Sequence, residues 1–296
     1  MSATIVYVHG NGNKVRKDLL KAEWDRALLG EDLGKRSRMA YWAPLRYPHP
    51  LPDPAFDELE LLSVSPLEAP PPVAPTAAFI AEVQNEARAE GNSDTDPLEA
   101  WLTQLSYTAD ALAEGEAAAS PPTSHVEAWP SPRAVRTTLF REFVRLTYKD
   151  VHAYFFTDLA KRMRAVVHEE LDGAEGPIIL LSHSLGTIIA YDVLRERREP
   201  PPEIPLLLTI GSPLGVPWVQ DLIRRPLEVP AGVRAWRNVC DARDLAALDE
   251  TLRPEFSPPE LCTDFLVSND SATHHGMREY LCTVPVREPV LELIGT

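Results

Sequence analysis

LLSHSLGTIIAYD, residues 180–192, decides how the rest of the chain is read. It completes an apolar run that starts at residue 178, breaks at Ser182, His183, Ser184, Leu185 and Gly186, and continues at once in small and apolar residues at helical spacing. A strand that ends in small-x-Ser-x-Gly before a helix can lift the middle serine hydroxyl clear of a sheet. The turn strains that serine, and small residues are needed two before and two after it because strand and helix approach closely. Ser184 meets this condition, flanked by Ser182 and Gly186; Ser182 does not, with Leu180 and Ser184 in the same places. Ser182 stands where the usual pattern has glycine. On this stretch alone, a nucleophile elbow and an ordinary strand-turn-helix are equally good readings. A serine hydroxyl is a poor nucleophile without a base, and the base needs an acid to orient it.

The partners lie downstream. In a parallel sheet of this kind the order is serine, acid, histidine, each at the carboxyl end of a successive strand. Asp241 and Asp244 follow the strand candidate AWRNVC, and His274 and His275 lie in the loop NDSATHHG after the candidate DFLVS. Upstream, residues 4–8 (TIVYV) read as a buried parallel strand followed by His9, Gly10, Asn11 and Gly12. That glycine-rich loop allows close approach. The amides of Asn11 and Leu185 are the candidate oxyanion donors.

Strands and helices alternate around these points. A helix is expected over 14–29 and a strand over 37–42. After the insert described below come helices from 133 and from about 150 to 171. Strands follow at 178–181, 204–210, 233–240 and 262–267, with a short helix from Leu245. Continuous apolar strands alternating with helices predict an α/β fold, a mostly parallel sheet of about six strands covered on both faces.

The net charge of −15 has one source. Residues 51–132 hold 15 Asp and Glu against the single basic residue Arg88, a charge of −14. Residues 44–132 also hold 15 of the 29 prolines and only two glycines. The chain therefore divides into a core, residues 1–43 and 133–296, and an acidic, proline-rich insert, residues 44–132, read as a cap or lid. Such a charge repels phosphate backbones and anionic bilayers, which excludes nucleic-acid binding. No apolar run approaches the roughly 18 residues of a membrane span, and the first residues lack a basic leader, so neither stable membrane insertion nor a signal peptide is expected. Cys240, Cys262 and Cys282 are odd in number and far apart, which suits a reducing cytoplasm rather than a disulfide framework. His49, His125 and His152 lack partners at ligand spacing, and GNGNK lacks the spacing of a phosphate loop, so no metal and no cofactor is expected.

Other residues have plainer readings. Ser182 is the small residue that lets the turn close, and His9 steadies its loop. His183 lines a pocket or packs locally. Asp192 is a solvated or capping carboxylate. Ser212 and Leu214 line an acyl pocket or make a plain turn.

VHGNG, LLSHSLGT, LTIGSPLG, WRNVCDARD and THHGMREYL together resemble the α/β-hydrolase superfamily, in particular bacterial lipase- and esterase-like serine hydrolases distantly similar to the deacylase of glycosylphosphatidylinositol. The resemblance covers about residues 4–43 and 140–285. It implies a three-layer α/β-hydrolase sandwich and the triad Ser184, Asp244 and His275. In such relatives W-x-N-x-x-D-x-x-D puts the acid at the last aspartate, which selects Asp244 over Asp241. The base stands five residues before a tyrosine, which selects His275, with Tyr280, over His274. The expected activity is hydrolysis of a small-molecule carboxylic ester through an acyl-enzyme. A thioesterase, an amidase or peptidase, an acyltransferase, or an inactive binding protein on the same fold are the alternatives.

Overall fold

The computed structural model describes residues 3–53, 76–89, 147–196, 200–271 and 273–295, apart from 245 and 248, together with 99, 102, 103 and 144. The chain forms two compact units, residues 1–63 with 153–296, and residues 64–152.

The first unit is an α/β unit around a six-stranded, all-parallel sheet. Its strands are β1 (Thr4–Val8), β2 (Ser37–Ala40), β3 (Ile178–His183), β4 (Leu206–Ile210), β5 (Trp236–Cys240) and β6 (Cys262–Leu266). Its helices are α1 (Lys17–Leu29), α3 (Leu159–Asp172), α4 (Leu185–Glu196), α5 (Pro217–Leu222), α6 (Met277–Leu281) and α7 (Val284–Ile294). The second unit contains α2 (Thr76–Ala89), which buries Phe79, Ile80 and Val83. Most of the expected insert, and the expected helix from 133, lie outside the described residues.

β1, β3 and β4 are buried along their whole length, as continuous apolar strands covered on both faces must be. Alternate side chains divide between the faces. Ile5, Tyr7, Ile179, Leu181, Leu206 and Leu208 share a core with Leu20, Trp24 and Leu28 of α1 and with residues of α6 and α7. Trp24 meets Tyr7 edge-on, with ring centroids 5.4 Å apart. α3 and α4 pack together against the other face. Asp25, fully buried on α1, pins that helix to the sheet: it accepts from Tyr7 Oη (3.0 Å), Ser37 Oγ (2.8 Å) and Lys21 Nζ (2.7 Å). α1 ends at Gly30, whose N–H still reaches Arg26 O while its φ of 84° turns the chain out of the helix.

The helix expected over about 150–171 is interrupted. Residues 147–156 are helical and α3 starts at Leu159. Thr157 causes the break: its hydroxyl donates to Ala153 O at 2.6 Å and accepts from Leu159 N at 3.2 Å, bonds that compete with the helical ladder. The short helix expected from Leu245 is not seen among the described residues that follow. The Asp244 side chain instead takes the Ala246 N–H at 2.8 Å, turning the chain locally.

The sheet order is β2-β1-β3-β4-β5-β6. The chain leaves β1 toward one edge and returns beside it as β3 to build toward the other. Ligands bind outside the carboxyl ends of parallel strands at such a switch of direction. Val8 pairs with Ser182 and Ser182 with Thr209, so the loops after β1, β3 and β4 emerge side by side.

Candidate active site

β3 delivers Ser184 to the switch point. Ser184 has φ 51°, and it and His274 (φ 55°) are the two non-glycine residues with left-handed backbone among those described. That conformation costs a side-chain-bearing residue about 1–2 kcal/mol, and such strain is held by its surroundings. The close approach explains the neighbouring glycines. A Cβ on Gly10 would lie 2.6 Å from Ser184 Cβ, and one on Gly186 would lie 2.5 Å from His9 O and 2.6 Å from Val8 O. Ser182 is fully buried, with its hydroxyl on Leu208 O at 3.1 Å, the small packed residue of the sequence reading.

Asp244, after β5, and His275, in the loop after β6, meet with His275 Nδ1 2.8 Å from Asp244 Oδ2. The carboxylate accepts, so Nδ1 carries the proton and the lone pair of the neutral ring sits on Nε2. Asp244 Oδ2 also accepts from Tyr280 Oη at 2.7 Å, and Oδ1 from the Ala246 N–H at 2.8 Å. The Tyr280 hydroxyl in turn accepts the Asp241 N–H at 2.8 Å. Burial, and then the adjacent Asp244 charge, push the Tyr280 pKa far above its ordinary value, so it stays a donor. Gly211, after β4, has φ 52°, and a Cβ there would stand 2.8 Å from Asp244 Oδ2 and 2.9 Å from His275 Nδ1.

Asp241 and His274 do different work. Asp241 accepts both the Arg243 guanidinium, at 2.7 and 3.0 Å, and the Asn269 N–H, at 2.6 Å. Burial pushes its carboxyl up, but these donors outweigh that and hold its pKa below the usual value. Asp241 therefore braces the base of the histidine loop. His274 stays within that loop, its Nδ1–H donating to Asn269 O at 2.7 Å.

His183 links the elbow to the histidine loop. Its ring lies on the His275 ring, centroids 4.4 Å apart, and its Nε2–H donates to His275 O at 2.9 Å. Burial, and then His275 and Lys14, lower its pKa well below the ordinary histidine value, so it stays neutral. Of its two sequence readings, local packing is the one the structure shows.

The β1 loop is fixed residue by residue. His9 Nε2 accepts the N–H groups of Trp42 (3.0 Å) and Ala43 (3.2 Å). Its proton is therefore on Nδ1 and donates to Gly10 O at 2.9 Å. Fixing that carbonyl fixes the planar Gly10–Asn11 peptide, and so aims the Asn11 N–H the opposite way. Lys14, buried, donates from Nζ to Asn11 O. Leu185 is the first residue of α4, and its N–H is one of those a helix leaves free of intrahelical bonds. One candidate oxyanion amide thus lies in the loop after β1 and the other at the N-terminus of α4, next to Ser184 in the chain.

Asp192 departs from its sequence reading. It is neither solvated nor capping: it is buried, accepting from Tyr154 Oη (2.6 Å) and the Arg224 N–H (3.3 Å). Ser212 makes the turn that was one of its two sequence readings, its hydroxyl accepting the Leu214 N–H at 3.2 Å. The contributions of Gly211 and Lys14 were not visible in sequence. LTIGSPLG marks a tight turn, but nothing in it says which side chains the glycine must clear, and a Lys at the start of the helix expected over 14–29 gives no sign that it is buried against Asn11 O.

Among the described residues no cluster of His, Cys, Asp and Glu could hold a metal ion, and no helix is long and apolar enough to cross a membrane. The chain matches no protein-family model and no curated protein.

Proposed function

We propose that this protein is a serine hydrolase of the α/β-hydrolase type that cleaves carboxylic esters. The observation that carries the reading is the buried Asp244–His275 hydrogen bond, which stands at the same sheet edge as the strained Ser184. Ser184 Oγ attacks the ester carbonyl while His275 Nε2 takes its proton. Asp244 holds the ring in the required tautomer and stabilises the imidazolium as it forms. The Leu185 and Asn11 amides receive the developing oxyanion. The tetrahedral intermediate collapses, His275 gives its proton to the departing alcohol, and an acyl-enzyme remains. Water, deprotonated by His275, attacks the acyl carbon and releases the acid, and the proton returns to Ser184.

The acidic insert follows β2 in the chain, and we read it as a cap. Three free cysteines fit a reducing cytoplasm. The test is labelling with a fluorophosphonate probe together with turnover of short p-nitrophenyl esters. Wild type should label and turn over, and Ser184→Ala should do neither. A wild-type protein inert to both sinks the proposal.

A further inference from the structure

Ser184 is clamped through both of its backbone groups. Its N–H donates to Ile210 O, at the end of β4, at 3.0 Å. Its carbonyl accepts the Thr187 N–H at 2.9 Å and the Thr187 hydroxyl at 2.7 Å. The Thr187 hydroxyl lies 2.8 Å from Ser212 Oγ, and Ser212 Oγ lies 3.2 Å from the Leu214 N–H.

The chemistry of the end groups sets the direction of this chain. A backbone N–H only donates, so Ser212 Oγ accepts from Leu214. A carbonyl only accepts, so the single Thr187 hydroxyl proton goes to Ser184 O. The Ser212 proton therefore goes to Thr187 Oγ1. Each hydroxyl both donates and accepts, and Thr187 and Ser212 are within 1% of complete burial. Linked bonds in a dry interior reinforce one another.

The Thr187 hydroxyl is not needed to start α4, because the Thr187 N–H already satisfies Ser184 O. The hydroxyl adds a second donor to the same oxygen. It fixes the plane of the Ser184 carbonyl, and with it the ψ of the strained residue. At the other end of the chain, Ser212 follows Gly211, whose Cα borders Asp244 and His275. One turn after β4 therefore touches the Asp–His pair through Gly211 and the elbow through Ser212.

We infer that Thr187 and Ser212 are positioning residues that hold the Ser184 hydroxyl in register with the Asp244–His275 pair. The inference rests on the hydrolase reading and adds to it two residues that are neither nucleophile, base, acid nor oxyanion donor. The turn after β4 is then the part that sets the spacing between the two halves of the site.

The experiment compares Thr187→Val, Thr187→Ser, Ser212→Ala and the Thr187→Val/Ser212→Ala double variant with wild type. The readings are the rate of fluorophosphonate labelling, kcat and KM on p-nitrophenyl acetate, and the thermal midpoint. Thr187→Val keeps the shape and loses the hydroxyl; its kcat and labelling rate should fall roughly tenfold or more with KM within about twofold, because misplacement acts on the chemical step. Ser212→Ala should fall in the same way, and the double variant should be no slower than the slower single, since one chain is cut in either case. Thr187→Ser should recover to within about threefold of wild type. If Thr187→Val does not fold, Ser212→Ala carries the test. Variants that label and turn over at the wild-type rate overturn the inference and leave the hydrolase reading standing. So does a Thr187→Ser as slow as Thr187→Val, which would assign the effect to the lost packing of the methyl group. A wild type that never labels removes both.

Discussion

Lowering the pH from 7.5 to 4.5 should cost the fold about 3 kcal/mol through His9 alone. In the folded chain His9 is fully buried and spends both ring nitrogens on the backbone, accepting from Trp42 and Ala43 and donating to Gly10 O. Burial, and then the Lys14 charge, lower its pKa from 6.5 to about 3. The unfolded chain titrates at the ordinary value. Between the two values the unfolded state binds a proton that the folded state refuses, so stability is present above pH 6.5 and falls as the pH falls. The slope is roughly 1.4 kcal/mol per pH unit, and the two units from 6.5 to 4.5 give the figure stated. His183 is shifted in the same direction and adds a second slope of the same sign. The assay is urea unfolding in half-unit steps of pH, on wild type and on His9→Gln, whose side chain does not titrate. Below pH 6.5 the variant's stability should decline less steeply by about one proton, roughly 1.4 kcal/mol per unit. Carboxylates common to both proteins cancel in the difference. Parallel curves would show that His9 is protonated in the folded state, and would refute the tautomer on which the aim of the Asn11 amide depends.

Three further outcomes follow from the site. Asp244→Asn should lower kcat by about three to four orders of magnitude through loss of the His275 tautomer, as orienting acids do, whereas Asp241→Asn should act mainly on stability, by about 1–3 kcal/mol in urea melts, because an NH₂ replaces one of the two oxygens that accept the Arg243 guanidinium and the buried Asn269 N–H. The reverse ranking in ester kinetics would move the acid to Asp241. Gly211→Ala must hold a Cβ in left-handed backbone, at about 1–2 kcal/mol. Because that Cβ would sit 2.8 Å from Asp244 Oδ2, ester turnover should drop by about a hundredfold, and near wild-type turnover would contradict the packing. Tyr280→Phe leaves Asp244 one donor short and the buried Asp241 N–H without its acceptor. It should destabilise by about 1–3 kcal/mol in urea melts and slow turnover more than it raises KM.

Much of this arrangement is legible in the sequence. The runs TIVYV and IILL are β-branched, aromatic or aliphatic throughout, with no alternation of charged positions, as suits a strand covered on both faces, and both are buried throughout. The spacing of Ser182, Ser184 and Gly186 identified the strained residue, because steric demand at a close approach is a local property that residue size records. Asp244 and His275 were selected over their neighbours by resemblance, and the structure brings that pair into contact. Pattern could not show what depends on three-dimensional neighbours. The break at Thr157 turns on a hydroxyl choosing a carbonyl. The burial of Asp192 depends on Tyr154 and Arg224, distant in sequence. The links among Thr187, Ser212 and Ser184 join residues of common type whose meeting is set by strand register.

The strand order also assigns different lifetimes to the two halves of the site. β3, which carries Ser184, is flanked on both sides, whereas β6, which carries the histidine loop, is an edge strand with Leu266 62% exposed. Edges and their loops open in local fluctuations that leave central strands intact. Amide hydrogens of β6 should therefore exchange with solvent sooner than those of β3. On the proposed hydrolase reading, mild denaturant would displace the His275 loop while the Ser184 turn persists, and ester turnover would be lost before the sheet unfolds.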